Sequence, residues 1–158
     1  MKKLEHLIIA LDFDGTVVTH EFPEIGIEID NCVLTLKRLV DAGARIILST
    51  MRSNHTEMPI SNDPDIHCDI RNYLDEAVNW FKEREIPLFG IQRNPEQDTW
   101  TSSPKCYAHM YIGDDALGCP LTYDLELSQR VFADWFRIED MLFPINPVHK
   151  VKAVIKKV

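Results

Sequence analysis

Four short apolar runs, each closing on polar residues or a loop, alternate along the chain with stretches whose apolar positions recur at helical spacing. Leu7-Ile8-Ile9-Ala10-Leu11 runs into Asp12. Arg45-Ile46-Ile47-Leu48 runs into Ser49 and Thr50. Pro87 to Ile91 is a shorter run, and Cys106 to Ile112 ends in Gly113-Asp114-Asp115. Near-continuous apolar runs of this kind are what buried parallel strands look like. Between them, Val33, Leu34, Leu36, Leu39 and Val40 fall on one face of a helix that Asp30 would cap and Gly43 would end. Ile70, Tyr73, Leu74, Ala77, Val78 and Phe81 mark a second helix reaching about Glu85, and a last helix is predicted from about Tyr123 to Leu142. Ser53 to Asp69, with Pro59, Asn62, Asp63 and Pro64, predicts a loop, as does Asn94 to Pro104. Strand–helix alternation predicts an α/β fold: a Rossmann-like three-layer sandwich around a central parallel sheet, with right-handed crossovers and helices on both faces.

Length and charge narrow the picture. The 158 residues suit one domain spanning 1–158, enough to bury roughly 70% of the unfolded surface. Residues 144–158 carry Lys150, Lys152, Lys156 and Lys157 among valines with no clear period, so edge strand, docking helix and basic arm all remain open there. No apolar run approaches the ~20 residues that span a bilayer. The charged residues soon after Met1 make a poor signal peptide and a good lead into a strand. A net charge of −8 disfavours non-specific nucleic-acid binding, which needs Lys and Arg on phosphates. Cys32, Cys68, Cys106 and Cys119 show neither CxxC spacing nor a disulfide framework, and predict free, mostly buried thiols in a cytoplasmic protein.

The chemistry concentrates where strands end. Open α/β sheets bind ligands just beyond the carboxyl ends of their strands, and there the first strand carries Asp12-Phe13-Asp14-Gly15-Thr16. An aspartate at such a place can be a nucleophile, a metal ligand or a proton carrier. A calcium loop is excluded, because counting from Asp12 its fifth, sixth and twelfth positions hold Thr16, Val17 and Pro23. Phosphate-ester hydrolysis through an aspartyl-phosphate needs a carboxylate nucleophile, a cation, donors for the phosphoryl oxygens and an acid for the leaving group. The candidates are Asp12, a metal ion, Thr50 with Lys105, and Asp14. Ser49 competes with Thr50, since a one-residue slip flips the face of a strand. Lys82 is a rival to Lys105, though it lies within a helical stretch. Arg52 is a candidate contact for a substrate phosphate or leaving group. Asp114 and Asp115 suit Mg²⁺, a hard ion that takes oxygen ligands.

The run Asp12-x-Asp14-Gly15-Thr16 after an apolar strand resembles the first motif of the haloacid dehalogenase (HAD) superfamily. Thr50, Lys105 and the Gly113-Asp114-Asp115 strand end follow in the order of that family's other motifs. The resemblance implies Asp12 as nucleophile and Asp14 as general acid and then base. It further implies Mg²⁺ held by Asp12, the main-chain carbonyl of Asp14 and the pair Asp114 and Asp115, of which Asp114 is the favoured direct ligand and Asp115 acts beside it or through water, with Thr50 and Lys105 completing the catalytic set. Gly15, Thr16, Met51 and Arg52 fall at positions implied to meet substrate. A second aspartate in the first motif favours phosphatase or phosphotransferase chemistry over the dehalogenase and ATPase branches. Pro23-Glu24-Ile25-Gly26 and Thr50-Met51-Arg52 are similar to segments of a subgroup of small HAD hydrolases. The fourth motif departs from many members, for Ala116 to Pro120 supplies no further acid.

HAD enzymes often carry a cap domain, but Thr16 to Arg45 and Ser53 to Pro104 leave no room for one. The expectation is a capless HAD-like core whose open site takes a large phosphorylated substrate or is covered by a second copy in a homo-oligomer. His20 and Glu21, in the flap-like segment after the first motif, and Asn94 are candidate substrate contacts. The rival reading is a non-hydrolytic phospho-acceptor or binding module on the same α/β scaffold. A receiver-type module is disfavoured by the Asp-x-Asp-Gly-Thr spacing, and a dinucleotide site by the lack of GxGxxG after any strand.

Overall fold

The computed structural model describes residues 4–57 and 69–143. Cys68, most of the loop predicted over Ser53 to Asp69, and the tail 144–158 lie outside the described residues. The chain runs β1 (Ile8–Leu11), α1 (Cys32–Asp41), β2 (Arg45–Leu48), α2 (Tyr73–Glu83), β3 (Leu88–Ile91), a 3₁₀ turn (Gln97–Thr99), β4 (Met110–Ile112), β5 (Leu121–Thr122), β6 (Phe132–Ala133) and α3 (Trp135–Leu142). The first four strands named form one sheet in the order β3-β2-β1-β4, with every pairing parallel. β5 and β6 pair separately as an antiparallel ribbon. This is the α/β, Rossmann-like sandwich that the strand–helix alternation predicts.

Alternation of side chains along each strand divides the sheet into two faces. Ile9, Leu11, Ile46 and Leu48 pack with Leu36 and Leu39 of α1, Ala77, Trp80 and Phe81 of α2, and Trp135 and Ile138 of α3. All three α-helices thus share one hydrophobic cluster. On the opposite face, Ile8 and Ile47 meet Cys106, Phe89 and Ala108. The third layer is therefore the segment around residues 92–109 rather than a helix, which differs from the expectation of helices on both faces. Buried Gln97 knits that segment together: its amide donates to the Ser103 and Lys105 carbonyls and accepts from the Tyr107 N–H. One glutamine supplies the main-chain partners that a helix would have supplied internally.

Other boundaries moved for identifiable reasons. Asn31, not Asp30, occupies the N-cap position of α1, and it makes no side-chain cap bond. Its amide instead donates to the Trp135 carbonyl and to Glu139 Oε2, tying α1 to α3. β4 begins at Met110 rather than Cys106 because the Ile8 N–H donates to His109 Nδ1, a side chain taking a ladder position. α3 starts at Trp135 rather than near Tyr123. Asp134 caps it by accepting from the Arg137 N–H, and the residues just before it pair as the ribbon, with the Ala133 N–H also donating to the Gly15 carbonyl.

After β1 the chain forms a strap, residues 16–29, before entering α1. Val18 bridges to Asp14 on one side and Glu28 on the other. The Thr19 N–H donates to the Ile27 carbonyl, and Thr19 Oγ1 accepts from the Ile27 N–H. Thr16, Val17, Val18, Thr19 and Ile29 are all buried, so the base of the strap is core. Trp135, fully buried, donates from Nε1 to the Thr16 carbonyl at 2.6 Å. Trp135→Phe keeps an aromatic ring but strips that carbonyl of its donor and opens space. It is expected to cost about 2–4 kcal/mol of unfolding free energy, measured as a lower urea midpoint; a midpoint like that of the wild type would contradict this role.

Candidate active site

Register sets the geometry of the site. Leu11 is level with Leu48 on one side and Ile112 on the other. The next residues, Asp12, Ser49 and Gly113, therefore leave the sheet in one row. The Asp12 N–H donates to the Ile112 carbonyl and the Ser49 N–H to the Leu11 carbonyl, extending the ladder by one rung. Beyond the row opens a cleft of about 420 Å³ lined by Asp12, Ser49, Thr50, Met51, Gln92, Tyr111 and Asp115, among others. At Gly113 a Cβ would sit 2.8 Å from Asp115 Oδ1 and 3.3 Å from the Asp12 Cβ. Only glycine lets these two acidic segments approach so closely.

The Asp12 carboxyl is strongly perturbed by its surroundings. Burial pushes its pKa from 3.8 to about 6, and the nearby charges of Asp114 and Asp14 push the same way. Hydrogen bonds from the Phe13 backbone and the Thr16 hydroxyl oppose the rise. Thr16 is fully buried and its hydroxyl is engaged twice, donating to Asp12 Oδ2 and accepting from the Asp114 N–H, both at 3.0 Å. It braces the nucleophile candidate against the fourth strand end and does not face the cleft as a substrate contact. Gly15, with φ of 75°, makes the turn out of the sheet. A side chain there would overlap the His20 imidazole and stand 2.6 Å from Asp114 Oδ2.

Asp14 and Asp114 each have a basic partner. Arg52 donates to both oxygens of Asp14 at 2.7 Å. Its guanidinium is buried at 2% exposure, so the arginine expected to meet substrate is turned inward. His20 Nε2 stands 2.8 Å from Asp114 Oδ2, which brings the tip of the strap onto the fourth strand end. Asp115 is exposed and lines the cleft.

Thr50 and Ser49 both line the cleft. Gln92, which the sequence reading did not single out, holds the turn that presents them. Its Oε1 accepts from the Thr50 N–H, and its Nε2 donates to the Thr50 and Arg52 carbonyls. The signal was available: Gln92 directly follows the last residue of β3, the same place at which Asp12, Ser49 and Gly113 leave the other three strands. Asn94, named instead, is 1% exposed and structural. It donates to the Tyr107 carbonyl and accepts from the Glu96 N–H. Met51 is almost fully exposed at the cleft. Lys105 is exposed, with Nζ 5.5 Å from the ring centroid of Tyr111, a residue that lines the cleft. It stands at the rim and is not brought onto Asp12. Lys82 lies in α2, away from the cleft lining.

Among the described residues, no three His, Cys, Asp or Glu side chains gather closely enough to enclose a metal ion by themselves. Burial raises the pKa of the Cys32, Cys106 and Cys119 thiols, so none is an activated nucleophile.

Because the folded-state pKa of Asp12 lies above its unfolded value, ionising this group opposes folding. The penalty is absent below about pH 4, grows up to about pH 6 and is complete above that. Asp12→Asn is expected to stabilise metal-stripped protein by about 1–3 kcal/mol at about pH 7.5, and to lose that gain near pH 4. Urea midpoints at the two pH values measure it. Equal midpoints for mutant and wild type at the higher pH would contradict the buried-charge account.

No protein-family model matches the chain, and no curated protein does. A solved structure described as a conserved protein from Bacteroides thetaiotaomicron is 29% identical, with a TM-score of 0.59, over 86% of this chain and 88% of that one. The likeness extends over most of both chains, and the description of that protein assigns it no activity. No helix among the described residues is long and apolar enough to cross a membrane.

Proposed function

We propose that the protein is a Mg²⁺-dependent phosphomonoester hydrolase of the HAD type, working through an aspartyl-phosphate on Asp12. The observation that carries this reading is the row of strand ends. A carboxylate with a raised pKa, two hydroxyls and a further acid, Asp115, line one cleft at the ends of adjacent parallel strands, with the Asp114 charge close enough to act on Asp12. The order of motifs along the sequence supports the same reading.

The Asp12 and Asp114 carboxylates with the main-chain carbonyl of Asp14 would supply an all-oxygen donor set, with Asp115 next in the chain to Asp114. That suits Mg²⁺, which takes one or two carboxylates and keeps several waters. Burial is the main reason the Asp12 carboxyl is pushed up to about 6, the charges of Asp114 and Asp14 adding to it, and a cation beside these carboxylates would relieve both. Bound, the ion would screen the approach of a phosphoryl dianion to Asp12.

The chain's own groups supply the rest. A carboxylate oxygen of Asp12 attacks phosphorus, the bond from phosphorus to the leaving oxygen breaks, and that oxygen takes a proton from Asp14. Asp14, now a carboxylate, takes a proton from water. The water oxygen attacks phosphorus, and the bond to Asp12 breaks to release inorganic phosphate. Ser49 and Thr50 donate hydrogen bonds to the phosphoryl oxygens. Lys105, with Nζ 5.5 Å from the centroid of the Tyr111 ring, is the cation proposed for the phosphoryl group. Unpaired thiols at Cys32, Cys106 and Cys119 accord with a cytoplasmic location.

With p-nitrophenyl phosphate, release of phosphate is expected with Mg²⁺ and not with EDTA, and Asp12→Asn is expected to lower kcat by roughly 10³-fold or more. Activity that survives either EDTA or the substitution would refute the mechanism. Stable phosphorylation of the chain without turnover would favour the phospho-acceptor reading instead.

A further inference from the structure

We propose that Arg52 is a positioning residue that holds the Asp14 carboxylate and the tip of the strap as one unit, so that leaving-group protonation depends on the strap being in place. The proposal rests on the phosphomonoesterase reading above. A guanidinium has five N–H donors, and four of the hydrogen bonds made by Arg52 stay within the chain. Nε and Nη2 donate to Asp14 Oδ2 and Oδ1, each at 2.7 Å. Nη2 also donates to the Glu24 carbonyl at 2.7 Å, and Nη1 to the Pro23 carbonyl at 3.2 Å. The ring centroids of Phe13 and Phe22 each lie 5.2 Å from the guanidinium carbon. A charge buried this deeply is kept only when it is fully partnered. Here the partners are one carboxylate required for chemistry and two carbonyls of the strap.

Two parallel N–H···O bonds fix the plane of a carboxylate as well as its place. A cation beside a carboxylate favours its charged form, so what the fork supplies is placement and not proton affinity; a lone pair on each oxygen stays outside the fork. The strap tip is secured from its outer side as well. Arg71 donates to both oxygens of Glu24, at 2.7 and 3.0 Å, and the Phe22 ring lies 5.1 Å from that of Tyr73. Lifting the tip would remove two acceptors from a buried cation, and the remaining acceptor, Asp14, would have to shift with it. Lysine would keep the charge but cannot make the fork.

General-acid help matters most for poor leaving groups, which gives the test a readout that loss of fold would not mimic. Wild type, Arg52→Lys, Asp14→Asn, the double variant and Glu24→Gln are assayed with Mg²⁺ on p-nitrophenyl, phenyl and methyl phosphate. Arg52→Lys is expected to lose less than roughly fivefold in kcat/KM on the first ester and roughly 10²-fold on the poorer leaving groups. In the Asp14→Asn background it should add no further dependence on the leaving group. Glu24→Gln, which alters the carboxylate held by Arg71 and leaves in place the main-chain carbonyl that meets Arg52, should speed amide exchange over residues 20–28 and steepen the dependence in the same direction. Equal losses on all three esters, or a loosened strap with wild-type leaving-group dependence, would overturn the proposal while leaving the hydrolase reading intact. Wild-type protein inactive on every ester would overturn both.

Discussion

The parallel register of β1 with β2 and β4 is the constraint from which the rest of the site follows. Once Leu11 sits level with Leu48 and Ile112, three strands deliver Asp12, Ser49 and Gly113 to one edge, and the row cannot be shifted without turning the core residues of β1 to the wrong face. Ile9 and Leu11 are buried without exposure on the helical side, and Ile8 and Ala10 nearly so on the other. A sheet packed on both faces thus enforces the placement of polar groups that contribute nothing to its own stability. Precision at the site is inherited from hydrophobic packing beneath it.

That placement creates an electrostatic problem, which the chain manages with dedicated partners. Three aspartates crowd one sheet edge, and each has its own arrangement. Asp14 has the Arg52 fork, Asp114 has His20, and Asp12 has only neutral donors from Thr16 and the Phe13 backbone. The carboxylate assigned the nucleophilic role is the one without a basic side-chain partner, and burial raises its pKa. Stability is commonly given up at functional sites in this way. Arg52 and His20 also draw the strap down over the same edge, so the balance of charge and the cover of the site are built from the same contacts.

Much of this was legible in the sequence. The apolar runs that become β1, β2 and β3, the helical spacing of Tyr73, Ala77 and Phe81, and the stop at Gly43, with its φ of 98°, all follow from local rules. So did the convergence of Asp12, Thr50 and Asp114. What escaped was set by tertiary partners. Arg52 reads as a surface or substrate-facing arginine because nothing local reveals that Asp14, Pro23 and Glu24 will enclose it. Gln97 and His109 replace helix and ladder bonds by single side chains, so the third layer and the start of β4 had no periodic signal. The residues ahead of Trp135 carry an apolar spacing that suits a helix, but pairing of Phe132 and Ala133 with Leu121 and Thr122 takes them first.

The central claim is that Asp12 carries the phosphoryl group during turnover. Its most direct test is acid quenching of the protein while it turns over p-nitrophenyl phosphate with Mg²⁺, followed by peptide mass spectrometry. The account predicts a phosphorylated peptide containing Asp12, present during turnover and absent from Asp12→Asn. Turnover with the phosphoryl group on another residue, or with none trapped on the chain under conditions that preserve acyl phosphates, would contradict it.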